Sequence, residues 1–310
     1  MLELVQASEA RRSLKKPAPQ FSNRECLALL SQTNNIPRNC PLSAKFVVMK
    51  SRIARFTLIF LMLCPASHLL PAQTPDPQAK PVVPDWALPG TATHTQVAPP
   101  ADFHRPSKNF DTPIGVFEGQ SDIGSAVVAG SASYDAATKQ YTINSAGYNI
   151  WYSRDEFRYL WEKMSGDVSL AADVTFPDAK GYSDRKAVLV IRQNLDDDSK
   201  EAMTGQHGVG MTHLAVRAEK GANIKDIQFR FGGSLGNARP KRVGIEKHGD
   251  SIALFVSLAG EPMHQFGPPI AVHFDGPFYV GIGFCSHLPD TSDTAVLSNV
   301  VLENSAGKLQ

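Results

Sequence analysis

The chain has 310 residues, and its 31 Lys and Arg nearly balance its 30 Asp and Glu, for a formal net charge of +1 at pH 7. This balance argues against a nucleic-acid polyanion as the main partner, because nucleic-acid-binding domains carry basic stripes or patches. The length is sufficient for one large domain or two small ones.

Residues 49–72 have the three parts of a secretory signal. Three basic side chains precede an apolar run, residues 56–70. A small residue, Ala72, follows shortly after the run, as at a signal cleavage site. The apolar run is about fifteen residues long, short of the roughly 20 that a membrane-spanning helix needs. The sequence therefore predicts export to a secreted or periplasmic location, with no stable membrane span after the signal is cleaved.

Residues 1–48 precede this signal and show no sustained helical or strand period. They are interpreted as an extension that results from a start codon assigned too early. The alternative is a genuine cytoplasmic tail, with residues 56–70 as an uncleaved anchor. A lipoprotein anchored at Cys64 is disfavoured, because Leu63 stands where a lipobox needs a small residue.

Cysteine usage fits export without disulfides. Cys26 and Cys40 lie upstream of the signal and Cys64 lies within it, so the mature chain keeps only Cys285. Because Cys285 lies in an apolar run, it is predicted to be a small buried hydrophobe.

Residues 73–113 are dense in proline and poor in branched apolar residues. Such a composition favours extended, polyproline-like chain, and the segment is predicted to be a Pro-rich arm. Trp86 and Phe103 are large aromatic residues, which a free linker does not need. Two alternatives therefore stay open: the arm docks on the following domain, or it is free.

Residues 114–306 contain period-two segments between Gly, Asp and Asn turns. Apolar and polar residues alternate along 168–176, which predicts a half-buried strand. The same alternation predicts inward side chains at Ile252, Leu254, Val256 and Leu258.

Two continuous apolar runs, 186–193 and 278–286, contain β-branched residues and predict central strands that are covered on both faces. About a dozen strand-like segments occur, with no convincing long helix. The sequence therefore predicts an all-β fold, one antiparallel two-sheet jelly-roll sandwich over residues 114–306.

The aromatic stretch "YNIWYSRDEFRYLWEKMSGD", residues 148–167, fits two structures. Residues 157–164 have the spacing of a two-turn helix and also the alternation of a strand. The Gly166-Asp167 turn leads directly into a clear strand, so a hairpin explains both segments together. A strand is therefore predicted, with Trp161 buried.

Several segments together resemble a known family: "GQSDIGS", "GSASYDAATKQYTINSAGYNIWYSRDEFRYLWEKMSGDVSLAADVTF", "DRKAVLVIRQNLDDDSKEAMTGQHGVG", "PKRVGIEKHGDSIALFVSLAGE" and "GPFYVGIGFCSHLPDTSDTAVLSNVVLE". They are similar to the concanavalin A-like jelly-roll domain that bacterial proteins carry beside TolB-like β-propellers, often labelled biopolymer-transporter-like. The resemblance covers residues 115–305.

This resemblance implies a lectin-like sandwich, because members of the wider superfamily bind or cleave glycans on a sheet face or in end loops. It transfers no catalytic residue, since the Glu-x-Asp-x-x-Glu strand of the superfamily's β-glucanases does not occur in this chain. The chain shows no propeller repeats, so no transport role is carried over.

Two motifs have simpler explanations than a functional site. The Gly-x-Ser-x-Gly motif around Ser234 lacks the following helix of a nucleophile elbow, because Pro240 prevents one. Asp196 and Asp198 have the spacing of calcium ligands, but Lys200 takes the next alternate position and repels a cation. A solvated hairpin loop is predicted there.

The later histidines are scattered, without the His-x-His or Cys-x-x-Cys pairs that zinc sites use. We expect most of them at the surface or in loops, and we predict neither a metal nor a cofactor. These histidines are His207, His213, His248, His264, His273 and His287.

Paired carboxylates are the main enzymatic alternative, because glycoside cleavage needs an acid and a base or nucleophile about 5–10 Å apart on one face. Glu156, Glu162 and Asp167 are close in sequence, but the sequence leaves their faces undetermined. No catalytic residue is assigned.

The candidate ligand-binding residues are aromatic rings, which can stack on the apolar face of a sugar, and neighbouring hydrogen-bonding groups. Trp151 and Tyr152 are adjacent in a strand-like segment, so their side chains are expected to point to opposite faces, with one of them exposed. The competing interpretation is that many of these rings belong to the core. The predicted set is Trp151, Tyr152, Arg154, Tyr159, Arg192 and Gln193.

The sequence thus predicts an exported, non-catalytic, lectin-like module that binds a polysaccharide or other extracellular polymer without a cofactor. Two alternatives stay open: a polysaccharide-cleaving hydrolase or lyase on the same fold, and a cell-envelope protein-interaction module that docks through its Pro-rich arm. An exposed aromatic row favours binding, two convergent acids favour cleavage, and a broad apolar patch favours a protein partner.

Overall fold

The computed structural model describes residues 98–99, 104–231 and 239–309. The predicted N-terminal extension, the signal, Trp86, Phe103 and Ser234 lie outside the described residues. Within the described part of the chain, no helix combines the length and the apolar character that crossing a membrane requires.

The described residues form an all-β structure, as the sequence predicts. In chain order the strands are β1 (Lys108–Phe110), β2 (Gly119–Ile123), β3 (Ser131–Asp135), β4 (Gln140–Ser145), β5 (Ile150–Trp151), β6 (Arg154–Asp155), β7 (Phe157–Met164), β8 (Val168–Thr175), β9 (Lys186–Arg192), β10 (Glu201–His207), β11 (Thr212–Arg217), β12 (Lys225–Phe229), β13 (Arg242–His248), β14 (Ser251–Ser257), β15 (His264–Gln265), β16 (Ile270–Ala271), β17 (Phe278–Cys285) and β18 (Asp293–Glu303).

The strands form two large antiparallel sheets. The first sheet has the order β1-β2-β7-β17-β9-β10-β11-β12, and the second has the order β15-β14-β13-β8-β18-β4-β3, with β16 also paired to β14. β5 and β6 pair with each other as a separate hairpin. The antiparallel two-sheet jelly-roll sandwich predicted from the sequence is confirmed.

The main apolar core lies between the two sheets. β8 contributes Val168 and Leu170 and β14 contributes Leu254, as the alternation predicts. Leu258 is 38% exposed, so its predicted inward orientation is wrong. The reason is that β14 ends at Ser257, and the strand alternation does not extend past that point.

β9 and β17 are central strands covered on both faces, as predicted. β17 lies between β7 and β9, and every residue of β9 is buried. Leu189 and Ile282 face the core between the sheets, whereas Val188 and Cys285 face the opposite side of the first sheet. Cys285 is therefore the buried small hydrophobe that the sequence predicts.

Residues 157–164 form strand β7, as predicted, but the predicted hairpin with β8 is wrong. β7 belongs to the first sheet and β8 to the second, so the turn between them carries the chain across the sandwich. Leu160 and Val168 therefore meet in the core and are not cross-strand neighbours. Trp161 is buried, as predicted, and its indole NH donates a 2.9 Å hydrogen bond to Ser121 Oγ.

β1 lies within the segment predicted as the Pro-rich arm. It pairs with β2 and forms one edge of the first sheet. The last residues of the predicted arm are therefore part of the sandwich.

A segment that contains the β5–β6 hairpin, residues 146–156, covers the middle of the outer face of the first sheet. Ile150 of the hairpin packs there with Val190 of β9, Met203 of β10 and Ala215 of β11. This apolar contact divides the outer face into two ends, which differ in how they hold charge.

Candidate functional site

One end of the outer face forms an open depression of about 220 Å³, here called the polar depression. β9 begins at Lys186 and β10 ends at His207, and these two residues are direct cross-strand partners. The hairpin supplies one wall. The aromatic and ionisable residues of its lining include Trp151, Tyr152, Asp184, Lys186, His207 and Arg230.

Lys186 is a buried cation at the base of the hairpin, only 2% exposed. Its Nζ donates a 2.6 Å hydrogen bond to Asn149 Oδ1 and lies 4.7 Å from the centroid of the Trp151 ring. Burial lowers the pKa of Lys186 to about 8, although nearby groups such as Cys285 and Asp184 oppose the shift. Lys186 is thus held by neutral partners.

His207 and His213 form a buried pair beside Lys186. His207 Nε2 lies 3.1 Å from His213 Nδ1, so one imidazole donates a hydrogen bond to the other. Burial lowers the pKa of His207 to about 4, although the Asp184 carboxylate is 3.8 Å from its Nδ1, and burial also holds the pKa of His213 well below its usual value. Both rings are therefore neutral at pH 7.

The expectation that most of the histidines lie at the surface or in loops holds for four of the six, because three are exposed and His287 lies in the loop after β17. His207, His213 and His287 are buried, whereas His248, His264 and His273 are exposed. The physical reason for the first two is the strand alternation, which turns their rings toward the outer face where the hairpin covers them.

Trp151 and Tyr152 both line the polar depression, and both are partly exposed. The expected opposition of their side chains does not occur. Trp151 ends β5, and Tyr152 lies in the hairpin turn with φ 54°, where strand alternation no longer applies. The edge of Trp151 packs on His213, with 5.4 Å between ring centroids.

The other end of the outer face holds four buried charges, here called the sealed charge cluster: Asp155, Arg192, Glu201 and Arg217. Arg217 donates to both carboxylate oxygens of Asp155, at 2.7 and 2.8 Å, and Arg192 donates to Asp155 at 2.7 Å. Glu201 accepts from Arg192, and its Oε1 lies 3.1 Å from Arg217 Nη1. Two cations and two anions balance there.

The two carboxyl groups of the sealed charge cluster respond differently to this environment. Burial opposes ionisation of Asp155, but the guanidinium groups of Arg217 and Arg192 outweigh burial and hold its pKa below the usual range. Burial raises the pKa of Glu201; Arg217 opposes that shift and the neighbouring Asp155 carboxylate adds to it.

Four of the predicted ligand-binding residues do not line the polar depression. Arg192 belongs to the sealed charge cluster, with no exposed side-chain surface. Tyr159 is equally buried under the hairpin, and its hydroxyl donates a 3.0 Å hydrogen bond to Val190 O. Both side chains are therefore out of a ligand's reach in this structure.

The side chains of Arg154 and Gln193 make contacts with neighbouring loops. Arg154 is buried and lies 4.0 Å from the Asp197 carboxylate. Gln193 Nε2 donates to Asp275 O at 2.6 Å, and Asp275 N donates back to Gln193 Oε1 at 2.8 Å. These contacts explain both side chains without a ligand.

The predicted solvated loop around Asp196 is only partly exposed. Asp196 is exposed, but Asp197 and Asp198 are buried. This part of the prediction is wrong because the loop packs against the chain around residues 154–155, where Asp155 N donates to Asp197 O at 2.8 Å.

His104, Asp197 and Asp198 place possible metal-ligand atoms within 4.8 Å of one another. Two cations already balance these carboxylates: Arg154 lies 4.0 Å from Asp197, and Lys220 lies 3.2 Å from Asp198. An ion-paired loop accounts for the group.

The three carboxylates considered for glycan cleavage do not line the polar depression. Glu156 is buried and accepts a 3.0 Å hydrogen bond from Tyr148 N. Asp167 accepts a 2.8 Å hydrogen bond from Gly249 N in a turn, and Glu162 lies on β7. Among the described residues that line the depression, Asp184 supplies the one carboxylate.

Four residues of the polar depression were not predicted as site residues: Lys186, Asp184, His207 and Arg230. An available signal was the run 186–192, "KAVLVIR", in which a strand predicted to be covered on both faces begins and ends with a cation. Side chains six residues apart in a strand share a face, so both cations must be accommodated on the covered side.

No protein-family model matches the chain, and no curated protein matches it significantly. Among solved structures, it is similar to a functionally unknown protein from Saccharomyces cerevisiae, with 12% identity, 65% of this chain and 98% of that chain covered, and a TM-score of 0.44. It is also similar to the carbohydrate-binding module CBM66 from Bacillus subtilis, with 14% identity, 56% and 92% covered, and a TM-score of 0.38.

An alginate lyase from Klebsiella pneumoniae matches at 10% identity over 57% of this chain and 85% of that chain, with a TM-score of 0.35. The similar structures thus include a carbohydrate-binding module and a polysaccharide lyase. At these identities and TM-scores the likenesses carry no argument about activity. The resemblance to domains beside TolB-like propellers stays a prediction from the sequence.

Proposed function

We propose that the protein binds a saccharide unit of a polysaccharide or other extracellular polymer in the polar depression, without cleaving it. The observation that carries the proposal is the convergence of two partly exposed rings, Trp151 and Tyr152, with hydrogen-bonding side chains in one open depression. Rings of this kind pack on the C–H face of a sugar, while polar groups bond its hydroxyls.

The size of the polar depression supports a small bound group. Its volume of about 220 Å³ is below the roughly 300–1,000 Å³ of pockets for drug-sized ligands. Gln228 also lines it and offers an amide donor and acceptor. One sugar unit, contacted by a ring and an amide, fits this arrangement.

The lining favours binding over hydrolysis. Most glycoside hydrolases use two carboxylates that flank the scissile bond. Among the described lining residues Asp184 alone is a carboxylate, and Glu156, Glu162 and Asp167 are engaged elsewhere. Binding is therefore proposed, and the polysaccharide assay also detects cleavage through released products.

The exposed apolar surface gives little support to a protein-interaction module. Among the described residues, the exposed large apolar side chains are Phe110, Val116 and Leu258. Phe110 lies on β1 of the first sheet, whereas Leu258 follows β14 of the second sheet. A docking face needs a contiguous apolar patch of several hundred Å².

The direct test incubates the purified protein with a panel of plant, fungal and bacterial polysaccharides, and scores retention and released oligosaccharides in the same tubes. Retention without products is expected. Trp151→Ala and Tyr152→Ala should each weaken retention about tenfold or more, because aromatic anchors contribute on the order of 2 kcal/mol to binding.

The matched control is Tyr134→Ala. Tyr134 is also a partly buried aromatic residue, but it lies on β3 of the second sheet and packs on Tyr141. Its substitution should leave retention unchanged. Released products would replace binding with cleavage, and equal retention by the Trp151 and Tyr152 variants would remove the depression from the proposal.

Export is part of the proposal and rests on the signal at residues 49–72. Expression from Met49 in a secreting bacterial host should yield extracytoplasmic protein whose N-terminus lies near residue 73. Recovery of the uncleaved chain in the cytoplasmic fraction would contradict export.

A further inference from the structure

The charge of Lys186 is not balanced within the polar depression. Its hydrogen-bond acceptor, Asn149, and the ring beside it, Trp151, are both neutral. Among the described residues, no carboxylate lies within 4.0 Å of Lys186 Nζ, whereas the shortest ion pairs elsewhere are below 3 Å. Burying an ammonium group without a counter-ion is unfavourable, so its presence calls for an explanation.

The other charges that line the depression do not supply that counter-ion. Asp184 is about one-third exposed and faces His207 Nδ1 at 3.8 Å. Arg230 adds a second cation and is itself exposed. With His207 neutral, the described lining carries two cations and one anion. The carboxylates of Asp155 and Asp226 act on Lys186 from outside this lining and make no ion pair with it within 4.0 Å.

The fold does not need an unpaired cation at this face. At the opposite end, the same strands bury Arg192 and Arg217, and each of these guanidinium groups contacts Asp155 and Glu201. These two arginines are thus matched by carboxylates within the chain. Lys186 differs from them because it has neutral contacts and lines the polar depression.

We infer that the saccharide bound in the polar depression is acidic, and that its carboxylate contacts the Lys186 ammonium group. This inference rests on the proposed function and specifies the ligand class, a uronate-bearing chain. The carboxylate completes the ion pair that the chain itself leaves open, in a charge-assisted hydrogen bond. The rings of Trp151 and Tyr152 then contact the sugar that carries the carboxylate.

Lys186 is also suited to this contact by its position. Its ammonium group is held by the 2.6 Å hydrogen bond to Asn149 Oδ1 and by the Trp151 ring, whose centroid lies 4.7 Å away. A fixed donor loses little conformational entropy when a ligand binds. Arg230 at the rim adds long-range attraction for an anionic chain.

The test uses oligosaccharides that differ only in the carboxyl group. Oligogalacturonate, oligomannuronate and oligoglucuronate are each compared by calorimetry with the carboxyl-reduced form of the same chain. The full-length protein should bind at least one acidic oligosaccharide about tenfold more tightly than its reduced counterpart, as expected for a hydrogen bond to a charged group.

Variants assign this preference to individual residues. Lys186→Met keeps the aliphatic stem and removes the charge, so the acidic and reduced forms should bind equally, with affinity for the reduced form retained. Asp184→Asn removes the competing carboxylate and should strengthen binding of the acidic form alone. Arg230→Gln tests the long-range attraction between the Arg230 charge and an anionic chain. Because the side chain is exposed, the substitution should not disturb the fold.

The outcomes separate this inference from the proposed function. Equal binding of acidic and reduced forms, unaffected by Lys186→Met and Arg230→Gln, would overturn the inference and leave saccharide binding intact. Absence of binding to every acidic and neutral glycan, with a folded protein confirmed by its thermal transition, would overturn both. A preference for the acidic form that survives both substitutions would also refute the role of Lys186.

Discussion

The two ends of the outer face of the first sheet are built on the same three strands but hold their charges in different ways. At the sealed end, β9, β10 and β11 contribute Arg192, Glu201 and Arg217, which close around Asp155 with no exposed side-chain surface. At the open end, β9 contributes Lys186 to the polar depression, beside neutral partners.

The difference shows that burial of a charge does not by itself mark a functional site. Arg192 and Lys186 are both buried and share one strand face, six residues apart, but only Lys186 lines the polar depression. The informative property is whether the chain supplies the opposite charge. The sealed charge cluster is balanced within the chain, whereas the missing partner of Lys186 is assigned to a ligand.

The largest expected effect is on the sealed end. Arg217→Met should lower the free energy of unfolding by about 3–5 kcal/mol, because removing one partner leaves buried carboxylates without compensation. Urea unfolding at pH 7 measures this change. The control is Arg242→Met, which breaks a partly exposed 2.8 Å pair with Asp173 and should cost about 1 kcal/mol or less. Equal effects of the two substitutions would erase the distinction between sealed and exposed pairs.

At the open end, removing the buried cation should have the opposite effect and stabilise the folded protein, and this effect should depend on pH. The pKa of Lys186 is lowered from 10.5 to about 8 by burial, so the unfolded chain binds more protons between these values. Its ammonium therefore destabilises the folded protein by on the order of 3 kcal/mol below pH 8, and this cost disappears as the pH rises toward 10.5.

The measurement compares the unfolding free energies of the wild type and Lys186→Met from pH 7 to pH 10.5. The variant should be the more stable protein at pH 7, and the difference should vanish at the alkaline end. Asp155, Asp184 and Asp226 stay ionised throughout, and Cys285, whose pKa burial raises to about 12, is common to both proteins. A difference that does not depend on pH would mean that Lys186 is not desolvated.

The smallest expected effect concerns the hairpin turn. Tyr152 has φ 54°, a left-handed conformation that costs a non-glycine residue about 1–2 kcal/mol. Tyr152→Gly relieves that cost and removes the ring, so thermal unfolding should show a stability within about 1 kcal/mol of the wild type. Saccharide retention should fall nonetheless, and a variant that keeps full retention would show that the ring does not contribute.

Period-two patterns predicted much of the fold because they report which face of a strand is packed. The alternation at Val168 and Leu170 and the continuous run of β9 were interpreted correctly on this basis. The pairing of β7 with β8 was not predictable in the same way. Apolar residues face each other both across a hairpin and across a sandwich, and sequence proximity favours the hairpin in either case.

The site was less predictable, because it depends on where one hairpin lies. Trp151 and Tyr152 were identified from their chemistry, and the structure places both in the polar depression. Tyr159 and Arg192 have equally suitable chemistry, but the hairpin covers them. The run that begins at Lys186 predicts a covered cation, but the sequence does not show that the covering segment gives it neutral partners.

Under the proposed function, the β5–β6 hairpin would also limit which part of a polymer reaches the polar depression. Because it packs on the middle of the outer face, a long chain cannot extend along the sheet past the depression. The depression should therefore admit a chain terminus or a side branch. Affinity per chain end should then be the same for a trisaccharide as for the polymer, and titrations with chains of increasing length would reveal any recognition of internal units.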